Sequence, residues 1–150
     1  MAEEKTIIGK KTEAIVNGRD LHLSPKYAKG LCGFIRNKDI DKAIMDLELV
    51  ERLKKPVPMK GEYAHQKGIA GGRFPVKGAG IFIRLLKSLK ANAIAQDMEL
   101  EKFKIFCTSG KAPEPYKRFG QGRMKRCHVI IKLILREDKE KNKEKKEAKK

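Results

Sequence analysis

Between two strand-like runs, Phe103–Thr108 and Cys127–Leu135, the chain reads Ser109-Gly-Lys-Ala-Pro-Glu-Pro-Tyr-Lys-Arg-Phe-Gly-Gln-Gly-Arg-Met-Lys-Arg126. This connection holds two prolines, three glycines and six Lys or Arg against one Glu, so it has few side chains to bury. A loop of this length in a small domain is uncommon unless it is functional or disordered. The flanking strands predict a β-hairpin arm over about residues 104–130. Ordering the arm costs conformational entropy, and its positive charge indicates that a polyanion supplies the order.

The positive charge of the chain is concentrated in two windows. The net charge is +17, and residues 52–90 hold ten basic and one acidic residue while residues 104–128 hold seven and one. Residues 1–51 are balanced, with nine of each sign. Clustered cations beside Gly and Pro are typical of nucleic-acid binding, because neutralised phosphates release counterions. A highly charged soluble surface is the simpler alternative.

Length and composition limit the class of protein. A chain of 150 residues is expected to form one domain with a real core. It has no run of 18 apolar residues, so no membrane span is predicted. Three cysteines without framework spacing favour free thiols in a reducing compartment. The N-terminus shows no secretory leader, and we therefore expect a cytosolic protein.

Apolar periodicity predicts the element order β-α-α-α-β-β. The first four elements are a broken strand Thr12–Leu23 interrupted at Asn17-Gly18, helices Ser24–Lys38 and Asp39 to about Lys55, and a helix of roughly Lys77–Gln96. The predicted fold class is α+β, with three helices packed on a small antiparallel sheet and one extended basic β-hairpin. Residues 1–136 are predicted to be a single domain. The Glu/Lys-rich tail 137–150 is compatible with a solvated helix or with disorder.

A glycine-rich segment, Gly71-Gly-Arg-Phe-Pro-Val-Lys-Gly78, has the composition of a phosphate-binding loop. It lacks the Gly-Lys-Ser/Thr ending of a P-loop, so a nucleotide-hydrolysis site is not predicted. Glycines would instead let backbone N–H groups approach phosphates, while Arg73 and Lys77 neutralise them and Phe74 stacks or packs. A flexible linker is the alternative.

Neither a metal nor a catalytic site is predicted. Cys32, Cys107, Cys127 and His128 do not have metal-ligand spacing, and buried core thiols are the simpler explanation. No acid, base and nucleophile converge, so we predict that the chain is not an enzyme and needs no cofactor.

Several motifs occur in a fixed order along residues 12–136. They are Gly18-Arg-Asp-Leu-His-Leu-Ser-Pro-Lys26, Lys55-Pro-Val-Pro58, Gly72-Arg-Phe-Pro-Val-Lys77, Lys111-Ala-Pro113, Gly122-Arg123 and His128-Val-Ile130. Together they resemble the universal large-subunit ribosomal protein family that is numbered twenty-two in bacteria and seventeen in eukaryotes. The proline motif and the Gly-Arg-aromatic-Pro motif are similar to the archaeal and eukaryotic branch.

The resemblance implies a structural constituent of the cytoplasmic large ribosomal subunit that binds its ribosomal RNA and aids assembly. Family members send a long β-hairpin through the RNA to line the polypeptide exit tunnel. The implied partners are therefore large-subunit ribosomal RNA, neighbouring ribosomal proteins and the nascent polypeptide, with no membrane. The alternative function is a stand-alone RNA-binding or RNA-modifying factor with a basic arm.

Charge and resemblance together predict the binding residues. Those predicted to bind ribosomal RNA are Arg19, His22, Ser24, Lys26, Lys29, Lys60, Lys67, Arg73, Lys77, Arg84, Lys87, Lys111, Lys117, Lys125 and Arg126. Those predicted at the tunnel-lining hairpin tip are Arg118, Phe119, Gln121 and Arg123. The arm is shorter than is usual in the family, and the usual Arg-Ala-x-Gly-Arg tip here has one extra residue. Gly110, Gly120 and Gly122 are expected to allow a tight reversal.

Overall fold

The computed structural model describes residues 14–61, 63, 65, 67–69 and 71–135. The elements are β1 (Ile15–Leu21), α1 (Pro25–Ile35), α2 (Ile40–Glu51), α3 (Val76–Ile94), β2 (Phe103–Lys111) and β3 (Cys127–Leu135). The α+β prediction is confirmed, because the helices pack on an antiparallel sheet of strand order β1-β3-β2. Tail 137–150 lies outside the described residues, and the domain boundary at 136 stays a prediction.

Two strands differ from the predicted ones. In β1 the break falls at Arg19–Asp20 rather than at Asn17-Gly18, because Asn17 and Gly18 still pair with β3 and the register shifts only after them. Asp20 takes the left-handed φ of 50° and donates its N–H to Nδ1 of His128 at 3.1 Å. Strand β2 continues past Thr108 to Lys111, since these residues also pair with β3. Backbone pairing here overrides the weak strand preference of Gly110.

The helices α1 and α2 are shorter than predicted, for local backbone reasons. After α1, Asn37 adopts a φ of 64° and donates its N–H to the Ile105 carbonyl at 2.9 Å, which ties the turn to β2. Helix α2 ends at Glu51 rather than near Lys55. Leu53 there has a φ of 59°, and the Lys54 and Lys55 N–H groups both donate to the carbonyl of Leu49.

The core lies between the three helices and the inner face of the sheet. Its fully buried side chains include Leu31, Leu47, Phe82, Ile131 and Leu133. A few residues expected on buried faces are not fully buried: Tyr27, Phe34, Ile44 and Leu85 are partly exposed, and Leu135 is exposed because β3 ends there. Among the described helices, none has the length and apolar character needed to cross a membrane.

The prediction of buried core thiols is confirmed. Cys32, Cys107 and Cys127 are all buried and free. The Cys107 thiol donates to Cys32 Sγ at 2.7 Å, which lowers the pKa of Cys32 and raises the pKa of Cys107. Within the described part of the chain, no group of three His, Cys, Asp or Glu is arranged to hold a metal ion.

Candidate nucleic-acid interface

The starts of α1 and α3 meet at a cleft of about 700 Å³, which we call the helix-start cleft. Its lining includes His22, Ser24, Tyr27, Arg73, Phe74 and Lys77. These residues come from two short segments, 22–27 and 73–78, that are about fifty positions apart in the sequence. The fold therefore brings together four residues predicted to bind RNA and two aromatic rings.

Two glycines allow the cleft to form. Gly72 has a φ of 117°, and a Cβ there would lie 2.6 Å from the carbonyl oxygen of Val57. This close approach lets Arg73 and Val57 exchange backbone hydrogen bonds of 2.9 and 3.0 Å, which fixes the entry to α3. At Gly78 a Cβ would lie 2.7 Å from Leu31 Cδ1 and 3.1 Å from Leu23 Cδ1. The first turn of α3 thus packs directly against α1.

The first turns of α1 and α3 carry positive electrostatic potential. Neither contains an acidic residue, and neither Ser24 nor Pro75 caps its helix through a side chain. The N–H groups at a helix start carry partial positive charge, and a nearby anion is stabilised by them. With His22, Arg73 and Lys77 around them, the two helix starts make the cleft suited to a phosphate.

A second depression, the α1 cleft, lies on the other side of α1 and has a volume of about 480 Å³. Its lining includes Lys26, Lys29, Gly30, Phe34, Met59 and Lys60. Met59 packs against α1 at Gly30, where a Cβ would lie 3.1 Å from Met59 Cε. The ring of Phe34 is covered by Lys38, whose Nζ lies 3.8 Å from its centroid. Among the described lining residues of this cleft, the aromatic ring is therefore that of Phe34, which already stacks with Lys38.

Residues 112–126 form the basic arm, which few contacts hold together. The Met124 N–H donates to the Pro115 carbonyl and the Lys117 N–H to the Gly122 carbonyl, both at 2.8 Å. Across this pairing, Arg123 lies over the Tyr116 ring at 4.8 Å and donates to the Tyr116 hydroxyl at 2.8 Å. Apart from Ala112, the arm has no fully buried residue. It is therefore a hairpin held by local contacts.

The tip of the arm is a strained, tight turn. The Gln121 N–H donates to the Arg118 carbonyl at 3.4 Å, while Phe119 and Gly120 have φ values of 56° and 65°. Two left-handed central residues are typical of a type I′ turn, in which a bulky residue such as Phe is unfavourable. The Phe119 side chain is also 93% exposed. Gly110, predicted to help this reversal, instead pairs with His128 in the sheet.

The acidic residues gather on a different part of the surface, around α2. Asp46 pairs with Lys38 and with Lys55 (2.5 Å), Asp41 with Lys90 (2.6 Å) and Asp39 with Lys42 (3.0 Å). Burial opposes ionisation of Asp46, but the hydrogen bonds from both lysines outweigh it and lower the pKa of this carboxyl. The charges of these lysines are therefore already paired.

The predicted binding residues all lie at the surface, and most fall into three groups. Four line the helix-start cleft, Lys26, Lys29 and Lys60 line the α1 cleft, and the arm carries Lys117, Lys125, Arg126 and the four tip residues, with Lys111 at its base. Arg19, Lys67, Arg84 and Lys87 are exposed outside the two cleft linings. Arg126 is half-buried, and its Nε has no hydrogen-bond partner among the described residues.

The list of predicted binding residues omits three aromatic residues that lie at these sites. Tyr27 and Phe74 line the helix-start cleft, and Tyr116 packs with Arg123 in the arm. Phe74 was expected to stack or pack within the basic, glycine-rich segment, between Arg73 and Pro75, but was not included among the binding residues. Tyr27 follows a helical apolar stripe, and that pattern indicates a core residue rather than a cleft wall.

We expect proteases to cut the free protein in the arm before any other internal site. Residues 112–125 make few tertiary contacts and local opening there exposes almost no apolar surface, so the arm should move on the nanosecond to microsecond scale. Limited trypsin digestion, with cleavage sites read by mass spectrometry, is the measurement. Protection of Lys117 and Lys125 equal to that of the lysines in α3 would contradict this expectation.

Residues 16–134 match the family described as ribosomal protein L22p/L17e. A large ribosomal subunit protein uL22 of Ignicoccus hospitalis is 40% identical over 95 residues, which cover 57% of this chain and 60% of that protein. The uL22 proteins of Methanoregula boonei and Methanocaldococcus jannaschii are each 33% identical, over 79% and 80% of this chain and 85% of each relative.

Proposed function

The chain belongs to the ribosomal protein L22p/L17e family, in its archaeal branch, and from this membership we propose that it binds large-subunit ribosomal RNA through its two clefts and its basic arm. The family is one of structural ribosomal proteins, so the chain is a large-subunit ribosomal protein and not an enzyme. This assignment sets aside the alternative of a stand-alone RNA-modifying factor.

The observation that carries the RNA-binding proposal is the separation of the two signs of charge. Cations predicted from the sequence meet at two clefts that have no carboxylate among their described lining residues, while the carboxylates around α2 pair with other lysines. A basic, concave surface beside an exposed basic arm suits the phosphates of a folded RNA. Assembly of the subunit would then be aided because the body and the arm hold separate RNA segments.

We further propose that the tip of the arm lines the polypeptide exit tunnel. Phe119 is exposed and held in an unfavourable backbone conformation, and it gains no contact within the described chain that offsets either cost. Strain of this kind is concentrated at functional sites. In the proposed arrangement Lys111, Lys117 and Lys125 contact the RNA walls, while Arg118, Phe119, Gln121 and Arg123 face the tunnel and the nascent chain.

Deleting Tyr116–Met124 should leave the fold and subunit incorporation largely intact while removing contact with the nascent chain. The Met124 N–H donates to the Pro115 carbonyl, so the two ends left by the deletion lie side by side and a Gly-Gly link can join them. The body retains both clefts and hence most phosphate contacts. Sucrose-gradient sedimentation of cells expressing the variant measures incorporation.

Photo-crosslinking tests the position of the tip. A photoreactive residue at position 119 or 121 should crosslink a stalled nascent chain, whereas the same probe at Met45, exposed on α2, should not. If the tip probes reach only RNA or solvent outside the tunnel, the tunnel-lining proposal is wrong, and the RNA-binding proposal is unaffected.

A further inference from the structure

We infer that the helix-start cleft holds one unstacked nucleotide of the large-subunit RNA, with its phosphate at the starts of α1 and α3 and its base against Phe74. This inference rests on the RNA-binding function proposed above and names the part of the RNA that one cleft receives. It distinguishes the helix-start cleft from the α1 cleft, which we assign to phosphates alone.

The phosphate end of the site is built from two segments of backbone and three side chains. The starts of both helices, neither of which has a side-chain cap, contribute to the same lining, with Ser24 and Tyr27 from α1 and Lys77 and Gly78 from α3. Around them lie the exposed side chains of His22, Arg73 and Lys77, and none of the lining residues that the structure describes is Asp or Glu. A single phosphate group at this position would meet N–H donors and positive charge from both helices.

The base end is apolar and contains a partly open aromatic ring. Phe74 is half-buried and is followed in the lining by Pro75 and Val76, while Tyr27 forms part of the same wall and packs on the core. RNA-binding proteins recognise unstacked bases by stacking them on aromatic side chains. The contact tolerates any base, because each base has a π face.

The size of the cleft and the form of RNA select a single nucleotide. A volume of about 700 Å³ is within the range that encloses small molecules, and it is far too small for a helix. In a base-paired RNA helix the bases are stacked inside, and the major groove is too narrow for side chains to read. A base can therefore enter the cleft only from a loop, a bulge or a strand junction.

Phe74→Leu tests the base contact while keeping an apolar side chain. The probes are an oligouridylate and an abasic oligomer with the same number of phosphates, each titrated into the full-length protein by fluorescence anisotropy. We expect Phe74→Leu to weaken oligouridylate binding by about five- to a hundredfold, the range for loss of one stacked base, and to leave abasic binding unchanged. Phe74→Tyr should retain the wild-type affinity.

Two further variants separate the base contact from the phosphate contact. Lys77→Ala should weaken both probes equally and lower the slope of log K against log[salt] by about one. Phe106→Leu is the aromatic control, since this ring lies on β2 beneath Arg36, 5.2 Å away, and lines neither cleft. It should bind both probes as the wild type does. Thermal melts establish that each variant is folded.

The outcomes of these experiments distinguish a failure of this inference from a failure of the proposed function. If Phe74→Leu binds both probes like the wild type while Lys77→Ala binds more weakly, the cleft holds phosphate alone and the inference is overturned although RNA binding stands. If the wild-type protein binds neither oligomer nor large-subunit RNA, the proposed function itself has failed and the inference fails with it.

Discussion

Replacing Arg73, Lys77 and Arg84 together by alanine is expected to weaken binding to large-subunit ribosomal RNA roughly a hundredfold at low salt, on the order of 1 kcal/mol for each lost charged contact. The slope of log K against log[salt] should become shallower by about two to three units, because each lost phosphate contact releases about one counterion fewer. Filter binding of the wild-type and variant proteins across a salt series gives both quantities.

A matched control removes three other positive charges, which lie on the acidic side of the molecule. Lys42, Lys90 and Lys102 are each paired with a carboxylate, of Asp39, Asp41 and Glu99 respectively. Their triple alanine variant has the same net charge as the first variant but should keep the wild-type slope to within about half a unit. Equal slopes for the two triple variants would mean that net charge alone, and not the surface we describe, drives the binding.

Gly72→Ala is expected to lower the free energy of unfolding by about 2–4 kcal/mol, with two causes that add. The residue has a φ of 117°, which a side chain strongly disfavours, and the new Cβ would lie 2.6 Å from the backbone oxygen of Val57. Relief of the clash requires breaking the backbone pair between Val57 and Arg73. Urea unfolding followed by circular dichroism measures the change.

Gly110→Ala is the control for this effect. Gly110 lies in β2 with no positive φ, and nothing lies within 4 Å of a Cβ at that position. Its substitution should be neutral or slightly stabilising, because alanine restricts the unfolded chain. A Gly72→Ala protein as stable as Gly110→Ala would show that the pairing at Val57 does not hold the entry to α3.

Most of the fold could be predicted because its elements follow simple apolar periods. The strand Cys127–Leu135 and the start of α1 after Ser24 were identified correctly, the latter since Ser and Pro favour a helix start. The end of α2 and the break in β1 could not be predicted. Both depend on left-handed backbone, at Leu53 and at Asp20. Leu gives no signal of that conformation, and the weaker signal of Asp20 is outweighed in the sequence by the turn pair Asn17-Gly18.

The candidate site was predicted as a set of residues but not as two clefts. His22 meets Arg73 and Lys77 because the backbone makes close contacts at Gly72 and Gly78. From composition alone, these two glycines were assigned to a flexible or phosphate-binding loop. The strained turn at Phe119 was likewise not foreseen, because glycine is the usual residue at such positions and three glycines lie nearby.

The strand order β1-β3-β2 has a consequence for how this protein folds during its synthesis. β1 and β2 are not neighbours, and both pair with β3, which follows every other described element along the chain. Ile15, for instance, pairs with Lys132. The native sheet cannot form until synthesis has passed the arm and reached β3. Sheets that pair such distant segments of the chain also form slowly. A ribosome that synthesises this chain therefore releases helices that still lack their sheet, and the unfinished molecule needs protection from aggregation until β3 emerges.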